Sequence, residues 1–289
     1  MDLSNIKMKK KKKLIDRLKK ELVKGFLRLY FFFEVKFLRF FLFQNKEKKY
    51  FKTNKVSLLC PTKNRSKKFA RFVESLLDNT NQYNRIELLV GFDLVEDEIH
   101  LYEQTISKLN KKGIIVKKYF ENLKTHALRN NFLAKNCSGD IIFPINDDMI
   151  ITTSNWDKIL DEEFSKNDPS EPLCIWINCD RKYKNLDFSA FPIINRAWYK
   201  SLDYIVPEYF RFWYLDWWIC EVSRISKRYF LSNISIQQFH AHTFVNEIDD
   251  THKLNSTENN LDYDYKMWLK TKKYRIEDGL KIVSTLKKI

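Results

Sequence analysis

The sequence predicts an α/β protein built on a doubly wound, mainly parallel sheet, with a basic amphipathic helical arm ahead of it. Three observations carry this expectation. From residue 55 onward, short apolar runs alternate with stretches of helical periodicity. Several of those runs end abruptly in polar or charged residues. The charge is also unevenly spread: residues 1–55 hold 18 Lys/Arg and 5 Asp/Glu, net +13, whereas residues 56–289 hold 34 and 32, net +2.

Taken in order, residues 1–54 form the arm. A lysine-rich start, "KMKKKKK", precedes "LIDRLKKELVKGFLRLYFFFEVKFLRFFLF" at 14–43. Arg28, Glu34, Lys36 and Arg39 interrupt its apolar run, so it is too charged to span a bilayer. At 100° per residue, Lys20, Lys24, Arg28, Lys36 and Arg39 fall within an arc of about 160°, and the aromatic residues largely fill the remainder. Two readings fit this pattern. One is a helix lying on an anionic membrane surface; the other is a helix whose aromatic face packs on protein.

The body, residues 55–289, opens with "KVSLLCP", a buried strand ended by Pro61. In "KKFARFVESLLDNT", apolar residues at 69, 72, 73, 76 and 77 mark a helix face. "IELLVGFD" is a second strand, ending in Asp93. "EDEIHLYEQTISKLNKKG" is a helix stopped at Gly113, and "IIVKKYF" a third strand. "THALRNNFLAKNCSG" is a helix that leads into the strand "DIIFPI". Ligands of such sheets lie beyond the carboxyl ends of the strands. The sequence puts Pro61-Thr62-Lys63-Asn64-Arg65, Asp93 and Asn146-Asp147-Asp148 at three of those ends. Adjacent carboxylates in a partly buried cleft repel each other, and a divalent cation such as Mg²⁺ or Mn²⁺ offsets that cost.

Composition narrows the function classes. With 289 residues, 44% of them hydrophobic, the chain can bury one sizeable core, and 5 Gly with 6 Pro exclude a fibrous protein. Its 5 cysteines are an odd, scattered set, which argues for a reducing compartment rather than a disulfide framework. The near-neutral body excludes nucleic acid as a partner, because a polyphosphate-binding body would itself carry the excess of basic charge.

"VSLLCPTKNR", "IELLVGFD", "HALRNNFLAKNCSGDIIFPINDDM", "NWDKIL", "FPIINRAWYK", "YLDWWICEV" and "FHAH" occur in that order over residues 56–252. This region resembles nucleotide-sugar glycosyltransferases of the GT-A fold, near the mostly inverting family 2. The resemblance implies that Pro61, Thr62, Arg65, Asp93, Arg129, Asn130, Asn131 and Asp147 contact a UDP- or GDP-linked sugar donor. It also implies a metal site with Asp148 as principal ligand, joined by His242 or His240. Asn146 stands where the family usually has its first acid. Asp216, set among Trp213, Tyr214, Trp217 and Trp218, is the candidate base for the acceptor hydroxyl; its alternative role is a helix N-cap. Trp217 is a candidate surface for a sugar ring, the alternative being a place in the core.

The expected function is metal-dependent, inverting glycosyl transfer to a glycan or glycolipid acceptor. The expected location is the cytoplasmic face of a membrane, held there by the arm. Two other classes remain open at this stage. A nucleotidyltransferase would carry a Gly-rich phosphate loop after the first strand, where this chain reads "PTKNRSKK". A non-catalytic sugar-nucleotide-binding scaffold is the other. The region "LDYDYKMWLKTKKYRIEDGLKIVSTL" reads as helical, without identifiable chemistry.

Overall fold

The structure is a computed structural model that describes residues 54–179, 188–238, 253 and 257–286, the side chains of 258 and 259 excepted. The predicted arm, apart from Asn54, and the His240/His242 pair lie outside the described residues.

Strand β1 (Val56–Pro61) is followed by helix α1 (Ser66–Asn79), β2 (Ile86–Asp93), α2 (Ile99–Lys111), β3 (Ile115–Glu121), α3 (His126–Asn136) and β4 (Ile141–Pro144). All four strands are parallel, in the spatial order β3-β2-β1-β4. The continuous apolar runs are explained by burial on both faces. From Val56 to Pro61 every residue of β1 is buried; Val56, Leu58 and Cys60 join one core cluster and Leu59 the other. Phe69, Phe72, Val73 and Leu76 of α1 cover one face, while Ala127, Leu133 and Ala134 of α3 cover the other. The Thr125 side chain caps α3 by accepting a hydrogen bond from the Leu128 N–H at 3.2 Å.

Beyond β4 the sheet becomes mixed. It continues through β5 (Met149–Ile151), α4 (Trp156–Phe164), β6 (Cys174–Cys179), β7 (Ile193–Asn195), α5 (Arg196–Leu202), α6 (Leu215–Ser226) and β8 (Tyr229–Gln238). The eight strands run in the order β3-β2-β1-β4-β7-β6-β8-β5; β7 is antiparallel to β4 and β6, and β5 is antiparallel to β8. Because the order reverses at β1, with β2 on one side and β4 on the other, the crevice lies at their carboxyl ends.

The C-terminal region is two helices rather than one, α7 (Glu258–Lys270) and α8 (Lys272–Ser284). The break has a local cause. The Thr271 hydroxyl donates back to the Met267 carbonyl at 2.6 Å, and the buried Arg275 guanidinium donates to the Trp268 carbonyl at 2.6 Å, so the last turn of α7 finds partners without continuing.

The amino end of the sheet holds a buried acid of structural purpose. Glu87 is fully buried and accepts hydrogen bonds from the hydroxyls of Ser57 (2.5 Å) and Ser138 (2.7 Å) and from the Ser138 N–H (2.5 Å). Lys55 and Lys117 stand at 3.0 and 3.1 Å. Desolvation alone would raise its pKa; the hydrogen bonds outweigh that and hold it at about 2. Gly139 permits this packing, since a Cβ there would lie 2.4 Å from Ser57 Oγ and 2.7 Å from its backbone nitrogen.

Candidate active site

At the carboxyl end of the sheet the acids behave differently. Asp147 and Asp148 follow β4 and are both buried. The Thr62 hydroxyl donates to Asp147 Oδ2 at 2.6 Å, and Arg65 Nη1 reaches Oδ1 at 3.0 Å. Behind Thr62, the Tyr102 hydroxyl lies 2.8 Å from Thr62 Oγ1 and accepts from the Arg65 N–H at 2.8 Å. A chain of hydrogen bonds thus runs from the Arg65 backbone through Tyr102 and Thr62 to Asp147, fixing the loop after β1 against the end of β4. Thr62 is itself buried and holds an acid, a role the sequence did not suggest.

Asp148 Oδ1 accepts from Gln238 Nε2 at 3.3 Å. Burial pushes both aspartic carboxyls up, Arg65 opposes this, and for Asp147 the neighbouring charge of Asp148 adds to the rise. His126 at the start of α3 is held neutral: desolvation first, then the nearby Arg65 charge, pulls its pKa down to about 4.

Asp93, at the end of β2, is bracketed by Lys63 Nζ at 2.5 Å and by the Arg129 guanidinium from α3. Arg129 Nε also donates to the Leu123 carbonyl at 2.8 Å. Asn130 is buried and donates to the His126 carbonyl at 2.9 Å, while its Oδ1 has no hydrogen-bond partner among the described residues. Asn131, expected to meet the nucleotide, does another job. Its Nδ2 donates to the Val206 carbonyl at 2.8 Å and its Oδ1 accepts from the Ile205 N–H at 3.0 Å, so its amide latches the loop before α6. Glu121, opposite Asp93 in register, is buried, neither oxygen has a hydrogen-bond partner among the described residues, and desolvation pushes it up to about 7. Gly91 leaves room for it, since a Cβ there would lie 2.9 Å from Glu121 Oε1.

Asp216 lies in the first turn of α6, but the cap position belongs to Tyr214, in the left-handed region at φ 67°. Asp216 is therefore not the cap residue itself, but its Oδ1 accepts the first-turn Trp217 N–H at 2.9 Å, so it also serves the amino end of α6. Desolvation pushes its carboxyl up to about 7. Trp217 is 41% exposed, stacks on Phe188 at 4.8 Å and meets Trp268 edge-on at 6.3 Å. Trp218, by contrast, is core and donates to Asp278 at 3.0 Å. The loop ahead of Asp216 is held by the buried Asp264 of α7, which accepts from the N–H groups of Arg211, Phe212 and Trp213 at 2.9 Å each. The Arg211 carbonyl in turn accepts from the His126 N–H at 2.7 Å.

Among the described residues no group of three His, Cys, Asp or Glu is poised to hold a metal ion. The described donors nonetheless suit a hard divalent cation. Asp147 and Asp148 offer oxygen ligands whose ionised forms burial disfavours, and Asp148 bonds an amide rather than a cation. Gln238 stands at the end of β8 beside Asp148, and His240 and His242 follow it in sequence.

Tyr102, Glu121, His126, Gln238 and Asp264 were not singled out from the sequence. A buried tyrosine or glutamine acquires its role only through contacts across tens of residues, and no spacing rule announces it.

Residues 57–203 match the profile of glycosyl transferase family 2. No curated protein matches the chain closely enough to serve as a relative. Among solved structures, the chain is similar to the mannosyltransferase PcManGT from Pyrobaculum calidifontis, determined with GDP-Man and Mn²⁺: TM-score 0.52, 8% identity, covering 89% of this chain and 81% of that one. It is also similar to S. aureus TarS 1–349 in complex with UDP: TM-score 0.50, 15% identity, covering 79% and 81%. At these identities the likeness is one of fold, which is the GT-A fold expected from the sequence. The family profile spans just over half of the chain, including the ends of β1, β2 and β4, and the chain therefore belongs to glycosyl transferase family 2 and is a glycosyltransferase.

Proposed function

We propose that the chain moves a sugar from a UDP- or GDP-linked donor to a hydroxyl of a glycan or glycolipid acceptor, with inversion at the anomeric carbon. The geometry that supports this reading is the Asp216 carboxyl in the first turn of α6, beside the exposed Trp217 ring that Phe188 and Trp268 back; desolvation pushes that carboxyl up to about 7. A carboxylate of that basicity accepts a hydroxyl proton near neutral pH more readily than an ordinary aspartate does. As the proton passes to Asp216, the acceptor oxygen bonds the anomeric carbon. The bond to the diphosphate breaks on the opposite face, and its electron pair leaves on the phosphate oxygen.

Arg65 and Lys63, paired with acids at the strand ends, would meet that charge, and Pro61, Thr62, Asp93, Arg129 and Asn130 would contact the nucleoside end. Asp148 and Asp147, with His240 and His242, would hold Mn²⁺ or Mg²⁺, which when bound neutralises the diphosphate leaving group. The GDP-Man and Mn²⁺ of PcManGT and the UDP of TarS support this assignment by analogy of fold. Trp217, backed by Phe188 and Trp268, offers the flat apolar surface on which a sugar ring stacks.

The arm, with its net +13 over residues 1–55, adds a contact with an anionic membrane on the cytoplasmic side. An acceptor carried on a lipid, such as an intermediate of a surface polysaccharide, suits that position. Deleting residues 1–50 is expected to weaken sedimentation with anionic liposomes; unchanged binding contradicts the arm's part. For the chemistry, a panel of UDP- and GDP-sugars is incubated with manganese and slow donor hydrolysis is followed. Asp216→Asn is expected to lose hydrolysis while retaining donor binding, and normal hydrolysis by that variant removes Asp216 as the base.

A further inference from the structure

We infer that α7 and α8 form a second docking surface, for an anionic lipid bilayer, distinct from the N-terminal arm. Twelve large hydrophobic side chains are exposed among the described residues, and seven of them lie on these two helices. They form ridges rather than a scatter. Leu261, Tyr265 and Leu269 repeat at i, i+4 and i+8 on α7, and Ile276, Leu280 and Val283 repeat at i, i+4 and i+7 on α8. Tyr274 adds an amphipathic ring of the kind that suits a membrane interface.

The opposite faces of both helices are already fixed to the body, so these ridges are not waiting to fold inward. Arg275 Nε reaches Glu221 Oε2 at 3.1 Å, and Asp278 accepts from Tyr204 at 2.5 Å and Trp218 at 3.0 Å. Gly279 lies so close to α6 that a Cβ would sit 2.4 Å from Ile225 Cγ2. Asp264 anchors α7 to the loop before α6.

Charge decides the occupant. Lys266, Lys270, Lys272, Lys273 and Lys281 are exposed around the ridges, against exposed Asp262 and Glu277, of which Glu277 pairs with Lys273 at 3.4 Å. A second copy seated face to face would set lysines against lysines, and the arm carries its own large positive charge. An anionic lipid surface complements both the apolar ridges and the lysines. No helix among the described residues is long and apolar enough to cross a membrane, so the contact is one of lying on the surface. On the reading of Asp216 given above, α7 then has its Trp268 side at the acceptor end of the site and its Leu261–Leu269 ridge at the bilayer.

The five native cysteines are buried, so a cysteine introduced on the surface of the full-length chain can be labelled selectively. Leu280→Cys and, as a control on α2, Lys108→Cys are labelled with the environment-sensitive fluorophore NBD. Each is mixed with phosphatidylcholine vesicles with and without phosphatidylglycerol. The expected result is a blue shift and a rise of about twofold at position 280 with the anionic vesicles only, and none at position 108. Silence at 280, whether or not the protein sediments with the vesicles, overturns the proposal, as does an equal response to neutral vesicles. A shift at 280 without lipid that grows with protein concentration assigns the face to a second copy, and one that disappears on deleting residues 1–50 assigns it to the arm; either overturns the proposal.

Discussion

Arg65 Nη1 lies 3.0 Å from Asp147 Oδ1, an ion pair in which the acid side chain is 2% exposed and the arginine 14%. The pair joins the loop after β1 to the end of β4, so one side chain neutralises a buried acid across the carboxyl end of the sheet. Asp148 accepts a hydrogen bond from the Gln238 amide instead, so the two neighbouring acids have different partners.

Removing the guanidinium leaves Asp147 buried without its counter-charge, which costs about 3–5 kcal/mol. Arg65→Ala is expected to lower the urea midpoint strongly and to abolish nucleotide binding. Adding Asp147→Asn is expected to restore much of the stability but not the binding. A double variant no more stable than Arg65→Ala contradicts the pairing.

The Asp216 carboxyl, raised to about 7, sets the sign of the pH dependence. The base works when ionised, so kcat/KM is expected to rise with pH through about 7 and level off above it. Asp216→Asn is expected to lose on the order of 10²–10⁴-fold in kcat. An activity limb near pH 4 contradicts the assignment.

Much of the parallel half of the sheet, β1 to β4, was legible in the sequence. The runs at 56–61, 86–93 and 141–144 are apolar because β1, β2 and β4 are covered on both faces, and their polar ends stand out against that background. The mixed half beyond β4 was less so. β5 and β7 have three residues each, too short for any periodicity to declare itself. The break at Thr271 depends on Arg275 reaching back to a carbonyl, and Asp264 reads as one acid in a polar helix until it is seen accepting three consecutive backbone N–H groups. The aromatic residues around Asp216 stand out in the sequence, yet of these Trp217 is exposed and Trp218 is core, a distinction set by packing against α7 and α8.

Glu87 is the structural counterpart of the site acids. Its pKa falls from 4.5 to about 2 on folding, so its contribution is present above pH 4.5 and is lost as pH falls toward 2. Glu87→Ala is expected to lower stability at pH 7 by about 3 kcal/mol, read from urea unfolding, with nucleotide affinity unchanged. The same stability difference at pH 2 as at pH 7 contradicts this account.

Trp217→Ala removes the exposed ring beside Asp216 without opening the core. Slow donor hydrolysis is expected to persist, whereas transfer to a glycan acceptor is expected to weaken about tenfold in KM, with Trp217→Phe partly restoring it. Equal loss of hydrolysis and transfer places the ring on the donor instead.

The most direct test of the whole account is calorimetric titration of UDP and GDP into the protein with and without manganese. One of the two nucleotides is expected to bind with manganese and far more weakly without it, and Asp148→Ala is expected to remove the metal-dependent part. Failure of both nucleotides to bind, or binding indifferent to manganese and to Asp148→Ala, contradicts the claim that the buried pair after β4 holds a metal-bound diphosphate.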